Sequence, residues 1–237
     1  MIDLYAIGSP NVLKVLLLLE ELELAYRLHR IDIFGADQFT PEFRALNPNC
    51  KVPVIVDPDG PGGRSITVTE SGAILFYLAE KFGRFLEKEG PGRTATMQWL
   101  MFQMGSVGPM FGQSNHFRLS APPGHDYAVS RYVTEVRRLY DVLEVRLSNA
   151  EWLGGESYSI ADMATWPWAA FYADQNGVDL DTLPGVKRWV AAVDARPATA
   201  RARLDWPALQ AFGLERRVQA DPDNVDKLFG RGRHARP

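Results

Sequence analysis

Three short stretches bring together groups able to hold and activate a small anionic or zwitterionic molecule. In Ser9-Pro10-Asn11 a hydroxyl and a carboxamide flank the start of an apolar run, with Pro10 at the first helical position, where its missing N–H costs nothing. A helix start presents unpaired N–H groups and the positive end of the dipole. A thiolate over this start would meet those groups as well as Ser9 and Asn11, all of which lower a thiol pKa; alternatively Ser9 only caps and Asn11 is solvated. Glu70-Ser71 stands at a strand-to-helix junction and adds a carboxylate. It fits either an amino-acid headgroup, with Ser71 on the carboxylate and Glu70 on the ammonium, or a plain cap beside a solvated glutamate. In Lys51-Val52-Pro53-Val54-Ile55-Val56 a proline interrupts a β-branched run, although proline cannot donate to a sheet ladder. Either a trans Pro53 opens an edge strand, or a cis Val52-Pro53 bond turns the Val52 N–H and C=O outward, where an extended peptide can pair with them as an added strand.

Rigid elements must stand behind these groups, and the apolar pattern supplies them. Residues 2–7 (IDLYAI) read as a strand, and residues 9–24 as a helix whose apolar residues cover nearly every face from Val12 to Leu19, as for a helix packed on a sheet. Residues 26–33 alternate as a second strand, which completes a βαβ unit with a right-handed crossover. A short helix follows Thr40, with Pro41 first, and then residues 52–57 and 65–70 form a hairpin across PDGPGGR. Residues 71–83 close the unit as a helix capped by Ser71. The order βαβαββα over residues 1–83 is that of an α/β thioredoxin-like domain with a mixed four-stranded sheet.

Past a Gly- and Pro-containing linker, residues 84–93, strand signals stop. Helices are expected at 94–117, 124–149, 159–176 and 184–195, within an all-helical domain spanning residues 94–212. The helix at 124–149 carries Tyr132, Val136, Leu139, Leu143 and Leu147 on one face. Ser159 followed by Asp162 reads as a capping box with Tyr158 and Met163 as its hydrophobic staple, a structural device whose loss costs ~1 kcal/mol. Around Gly105, Gly108 and Pro109 the chain should bend, which would give Met101, Met104, Met110 and Phe111 an apolar subsite or ordinary core. The tail, residues 213–237, mixes charges and is expected to pack on its own subunit or on a dimer partner through Leu228 and Phe229.

Composition excludes several classes. With 46% hydrophobic and 23% charged residues the chain reads as a soluble globular protein, and its net charge of −3 with no basic stripe gives no reason to expect nucleic acid. The longest apolar run, VLLLLE, falls far short of the roughly 20 residues of a membrane span. No basic segment precedes the first apolar stretch, so export is not indicated and a cytoplasmic location is expected. A single cysteine, Cys50, allows no internal disulfide and fits a reducing compartment. Four histidines at no metal-ligand spacing predict no metal.

The stretches SPNVLKV, NPNCKVPVI, TESGAILFYLAEK and YSIADMATWPW, in that order and separation, make the chain similar to cytosolic glutathione transferases over roughly residues 1–205. IDLYAIGSPN, GADQFTPEF, QWLMFQMGSVGPMFGQSNHF and WLGGESYSIADMATWPW resemble more narrowly the bacterial Nu class, the glutathione-dependent disulfide-bond oxidoreductases. The resemblance implies a homodimer with glutathione as substrate and no metal, and Ser9 and Asn11 holding its thiolate. It implies a cis Pro53, with Val52 pairing to the tripeptide backbone and Glu70 and Ser71 reading the γ-glutamyl end. It places Gln38, Arg131 and Lys51 among the glutathione contacts, with Lys51 toward the glycyl carboxylate and Arg131 suited to a second glutathione. Cys50 departs from the family pattern, where this position is commonly a glycine or another small or polar residue. As no CxxC is present, the redox thiols would be those of the glutathiones, unless Cys50 itself exchanges. Two rivals stay open: conjugation of the same thiolate to electrophilic carbon, and a non-catalytic glutathione-binding regulatory role.

Overall fold

The computed structural model describes residues 1–235; Arg236 and Pro237, the end of the expected tail, lie outside the described residues. Two compact units divide the chain: residues 1–74 together with the stretch from Ala200 onward, and residues 75–199. The first unit opens with β1 (Ile2–Ala6), α1 (Pro10–Glu21), β2 (Tyr26–Arg30), α2 (Pro41–Leu46), β3 (Val54–Asp57), β4 (Ile66–Thr69) and the start of α3 (Ser71–Phe82). This is the expected βαβαββα order. Its mixed sheet has the strand order β2-β1-β3-β4, with β1 parallel to β2 and antiparallel to β3, and β3 antiparallel to β4.

Local chemistry accounts for each start. Ser9 is extended and its hydroxyl accepts from Val12 N at 3.4 Å, while Thr40 does the same for Phe43 N at the head of α2. In α1 every residue from Val12 to Leu19 is buried, Lys14 included. β3 begins at Val54 rather than at Val52, since Pro53 has no N–H to give a ladder. Ser71 is the first residue of α3 and not its cap. Glu70 takes the cap position, its carbonyl accepting from Ile74 N at 2.9 Å.

The second unit is helical: α4 (Gly90–Phe102), α5 (Gly108–Leu119), α6 (Asp126–Leu147), α7 (Ile160–Tyr172) and α8 (Pro184–Asp194). α4 starts inside the stretch expected to be a linker, where Pro91 favours a helical first turn. The single helix expected at 94–117 is interrupted by a π-helical turn, Gln103–Val107, just before Pro109, whose ring and missing N–H break the regular ladder. Phe111 is fully buried against Tyr140 and Trp168, with ring centroids 5.2 and 6.5 Å away, which makes it core rather than a subsite residue. Met101 is 54% exposed on α4.

α9 (Pro197–Val218) runs through residue 212, where the second domain was expected to end, and α10 (Pro222–Phe229) follows. No expected helix covered α9, yet it continues through Pro207 with Ala198, Ala202, Trp206 and Leu209 on one buried face. Within the first unit α9 is tied back by Arg201, which donates to Glu20 Oε2 at 2.8 Å, and by Asp205, which accepts from the Tyr26 hydroxyl at 3.1 Å. In α10 Lys227 lies over the Phe39 ring at 4.6 Å, so part of the expected tail packs on its own chain.

The loop before α1 also touches α9. A Cβ on Gly8 would come within 2.7 Å of the Gln210 backbone. Gly8→Ala is therefore expected to push α9 away and lower stability by about 1–3 kcal/mol, read as a lower urea midpoint at unchanged slope; an unchanged midpoint would mean that α9 yields freely.

Candidate active site at one end of the sheet

The sheet register decides where the sequence-predicted groups meet. Tyr5 pairs with Val54, and Val54 pairs in turn with Thr69. Because β3 runs opposite to both neighbours, the C-terminal ends of β1 and β4 and the N-terminal end of β3 share one edge, each step being roughly 4.8 Å. The loop leading to Ser9 and Asn11, the Val52-Pro53 pair, and Glu70-Ser71 all leave the sheet there. β2 is parallel to β1 and ends at the same side, and it leads into the short turn Asp37–Phe39 that carries Gln38.

The Val52-Pro53 bond is cis, and both residues precede the ladder of β3. The chain before them is folded by asparagines: Asn47 Nδ2 donates to Lys51 O at 2.7 Å, and Asn49 Nδ2 donates to Glu70 Oε1 at 3.1 Å. Asn49 thus holds the Glu70 carboxylate across 21 residues. Glu70 itself has φ 64, a left-handed conformation that costs a non-glycine residue about 1 kcal/mol or more. Cys50 shares that conformation at φ 55, the backbone for which glycine is best suited, and its thiol lies 3.6 Å from Pro48 O.

Individual placements differ from a simple ring of contacts. Ser71 is 4% exposed, whereas Glu70 and Lys51 are exposed and Ser9 and Asn11 are half-buried. Gln38 is buried, with Nε2 donating to Ile33 O at 2.9 Å and Oε1 without a hydrogen-bond partner among the described residues. Arg131 belongs to α6 in the second unit, where it pairs with Glu135 Oε2 at 3.4 Å. Tyr5 is half-buried and stacks on His29, centroids 4.7 Å apart.

One residue escaped sequence reasoning. Lys14, on the buried face of α1, is 1% exposed and donates from Nζ to Ser71 Oγ at 3.4 Å. Burial pulls its pKa down to about 7, and the Glu70 carboxylate works against that shift. The available signal was a single lysine inside an otherwise apolar turn, since a buried charge needs a partner.

Family profiles match both parts of the chain. The glutathione S-transferase N-terminal domain covers residues 8–81 and the glutathione S-transferase C-terminal domain residues 110–197. Disulfide-bond oxidoreductase YfcG of Escherichia coli (strain K12) is 51% identical over 205 residues, covering 86% of this chain and 95% of that protein. The chain belongs to the glutathione S-transferase family. Its fold is also that of a glutathione transferase from Burkholderia graminis with two glutathione molecules bound per subunit, at 45% identity and TM-score 0.81 over 87% of this chain and 88% of that one. A glutathione transferase from Pseudomonas putida with one glutathione disulfide bound per subunit is 42% identical, with TM-score 0.80 over 85% and 90% of the two chains. The mixed four-stranded sheet and the helical unit are thus those of the glutathione S-transferase family.

Proposed function

We propose that this glutathione S-transferase family member is a glutathione-dependent disulfide-bond oxidoreductase of the Nu class. The observation that carries the reading is the meeting of Ser9 and Asn11, Val52, and Glu70 with Ser71 at one sheet edge, in a chain half identical to a disulfide-bond oxidoreductase. The α1 start, with the Ser9 hydroxyl and the Asn11 amide, holds the cysteinyl sulfur as thiolate. Val52 pairs with the tripeptide backbone, Ser71 and the first turn of α3 take the γ-glutamyl carboxylate, and Glu70 faces the ammonium. Gln38 and Lys51 flank the remainder of the tripeptide, and Arg131 serves a second glutathione.

In turnover the thiolate attacks the glutathionyl sulfur of a mixed disulfide. The new S–S bond makes glutathione disulfide, the old one breaks, and the released thiolate takes a proton from water. The attacking glutathione sulfur is oxidised from thiolate to disulfide as the released sulfur is reduced from disulfide to thiol, so the protein supplies position and charge stabilisation but no sulfur. Cys50→Ser is accordingly expected to keep most of the activity, within about twofold, and its abolition would move the redox role to the protein. Purified protein with glutathione should turn over a mixed disulfide faster than an electrophilic aryl halide. The reverse order would favour conjugation, and glutathione binding without either turnover would favour a regulatory protein.

The working form is a cytoplasmic homodimer. A groove of about 780 Å³ between α4 and α6 is lined by Trp99, Phe102, Val142 and Val145, with Val145 69% exposed, and offers a second copy an apolar face.

A further inference from the structure

Lys14 is not accounted for by the contacts proposed for glutathione. It is a buried amine placed where a carboxylate is to be received, beneath the first residue of α3 and bonded to the Ser71 hydroxyl. We infer that Lys14 is a positioning residue for the γ-glutamyl carboxylate: the bound anion draws a proton onto Lys14, and the charged ammonium holds the Ser71 hydroxyl toward the ligand. This rests on the reading of the site as a glutathione site and adds how the headgroup is told from a neutral one.

The surroundings leave Lys14 sensitive to such an anion. Glu70, at the junction of β4 and α3, is a charged side chain whose field reaches it, and that carboxylate is held by Asn49 and exposed to solvent. On its own helix Glu20 and Glu21 lie about two turns further along, and Glu20 is engaged by Arg201 and Tyr26. On the strands, Asp3 is paired with His29 at 2.7 Å, and Asp57 accepts from Asp59 N at 3.0 Å within its own turn. With burial bringing its pKa to about 7, Lys14 is largely neutral above that pH until an anion arrives. An α-carboxylate on α3 is a second negative charge and restores the ordinary lysine preference for the proton. A dipeptide or γ-linked ligand lacking that carboxylate offers no such gain.

The test is calorimetry on the whole protein with S-methylglutathione, whose blocked sulfur removes the thiol proton from the balance. Titrations at about pH 8 in two buffers of different ionisation heat should show uptake of close to one proton per ligand, and affinity should fall nearly tenfold per pH unit above neutrality. The analogue with 4-aminobutanoyl in place of γ-glutamyl, which lacks the α-carboxylate, should bind more weakly and without proton uptake. Lys14→Met should bind S-methylglutathione roughly 10–100-fold more weakly near neutral pH, with a flat pH profile, and in turnover should raise the glutathione KM more than it lowers kcat. Binding to the parent protein without proton uptake overturns the inference and leaves the glutathione reading standing, as does a Lys14→Met variant that keeps the parent pH profile. Absence of any binding to the parent overturns both. Should Lys14→Met fail to fold, the proton count on the parent protein still decides.

Discussion

Asn11→Ala should lower disulfide turnover by roughly 10–100-fold, because one hydrogen bond to a charged acceptor is worth about 1.5–3 kcal/mol. Asn11 is the second residue of α1, half-buried, and follows the capping Ser9 and Pro10. In the proposed site its amide adds a neutral donor to the backbone N–H groups of the α1 start, so removing it should weaken the thiolate while leaving the helix start intact. The expected signature is a pH–rate profile displaced to higher pH by about one to two units, with a smaller change in glutathione KM. Ser9→Ala should share the displacement but also cost ~1 kcal/mol of stability through loss of the cap on Val12 N. An Asn11→Ala enzyme with parental turnover and an unmoved pH profile would leave the backbone of α1 alone responsible for the sulfur.

Asp162→Ala is expected to be the most destabilising change, at about 3–5 kcal/mol, against a total of only ~5–15 kcal/mol for a typical domain. Asp162 is fully buried and accepts from Leu153 N at 2.8 Å, Ser159 N at 2.9 Å, Ser159 Oγ at 2.9 Å and Trp189 Nε1 at 2.8 Å. Burial pushes its carboxyl pKa up, and these donors pull it back. One side chain therefore closes the capping box of α7, fixes the turn at Leu153 and anchors α8 through Trp189. Truncation strands several buried donors at once, which is why the expected loss exceeds that of an ordinary cap. Urea unfolding measures it. A loss below about 1 kcal/mol would mean that water enters and satisfies the donors.

How much of this was legible in the chain depends on the range of the interaction. The βαβαββα order, the Ser9 and Ser159 caps and the helical second unit follow from periodicity and capping chemistry within a few residues. The cap at α3 was misplaced by one residue, because a glutamate at φ 64 has no composition signal. No helix was expected past residue 195, although Ala198, Ala202, Trp206 and Leu209 form a buried stripe that carries α9 past Pro207.

The sequence by itself determined which residues start the helices and strands, and so which groups were available to hold a thiolate and an amino-acid headgroup. Only the tertiary structure decided that the ends of β1, β3 and β4 lie along one edge, through the register Tyr5, Val54 and Thr69. It alone gave Lys14 a partner 57 residues away and Asp162 one 27 residues away. The physical reason is that capping and periodicity act through bonds spanning three or four residues, whereas the cost of burying a charge is set by whichever distant segment is packed against it.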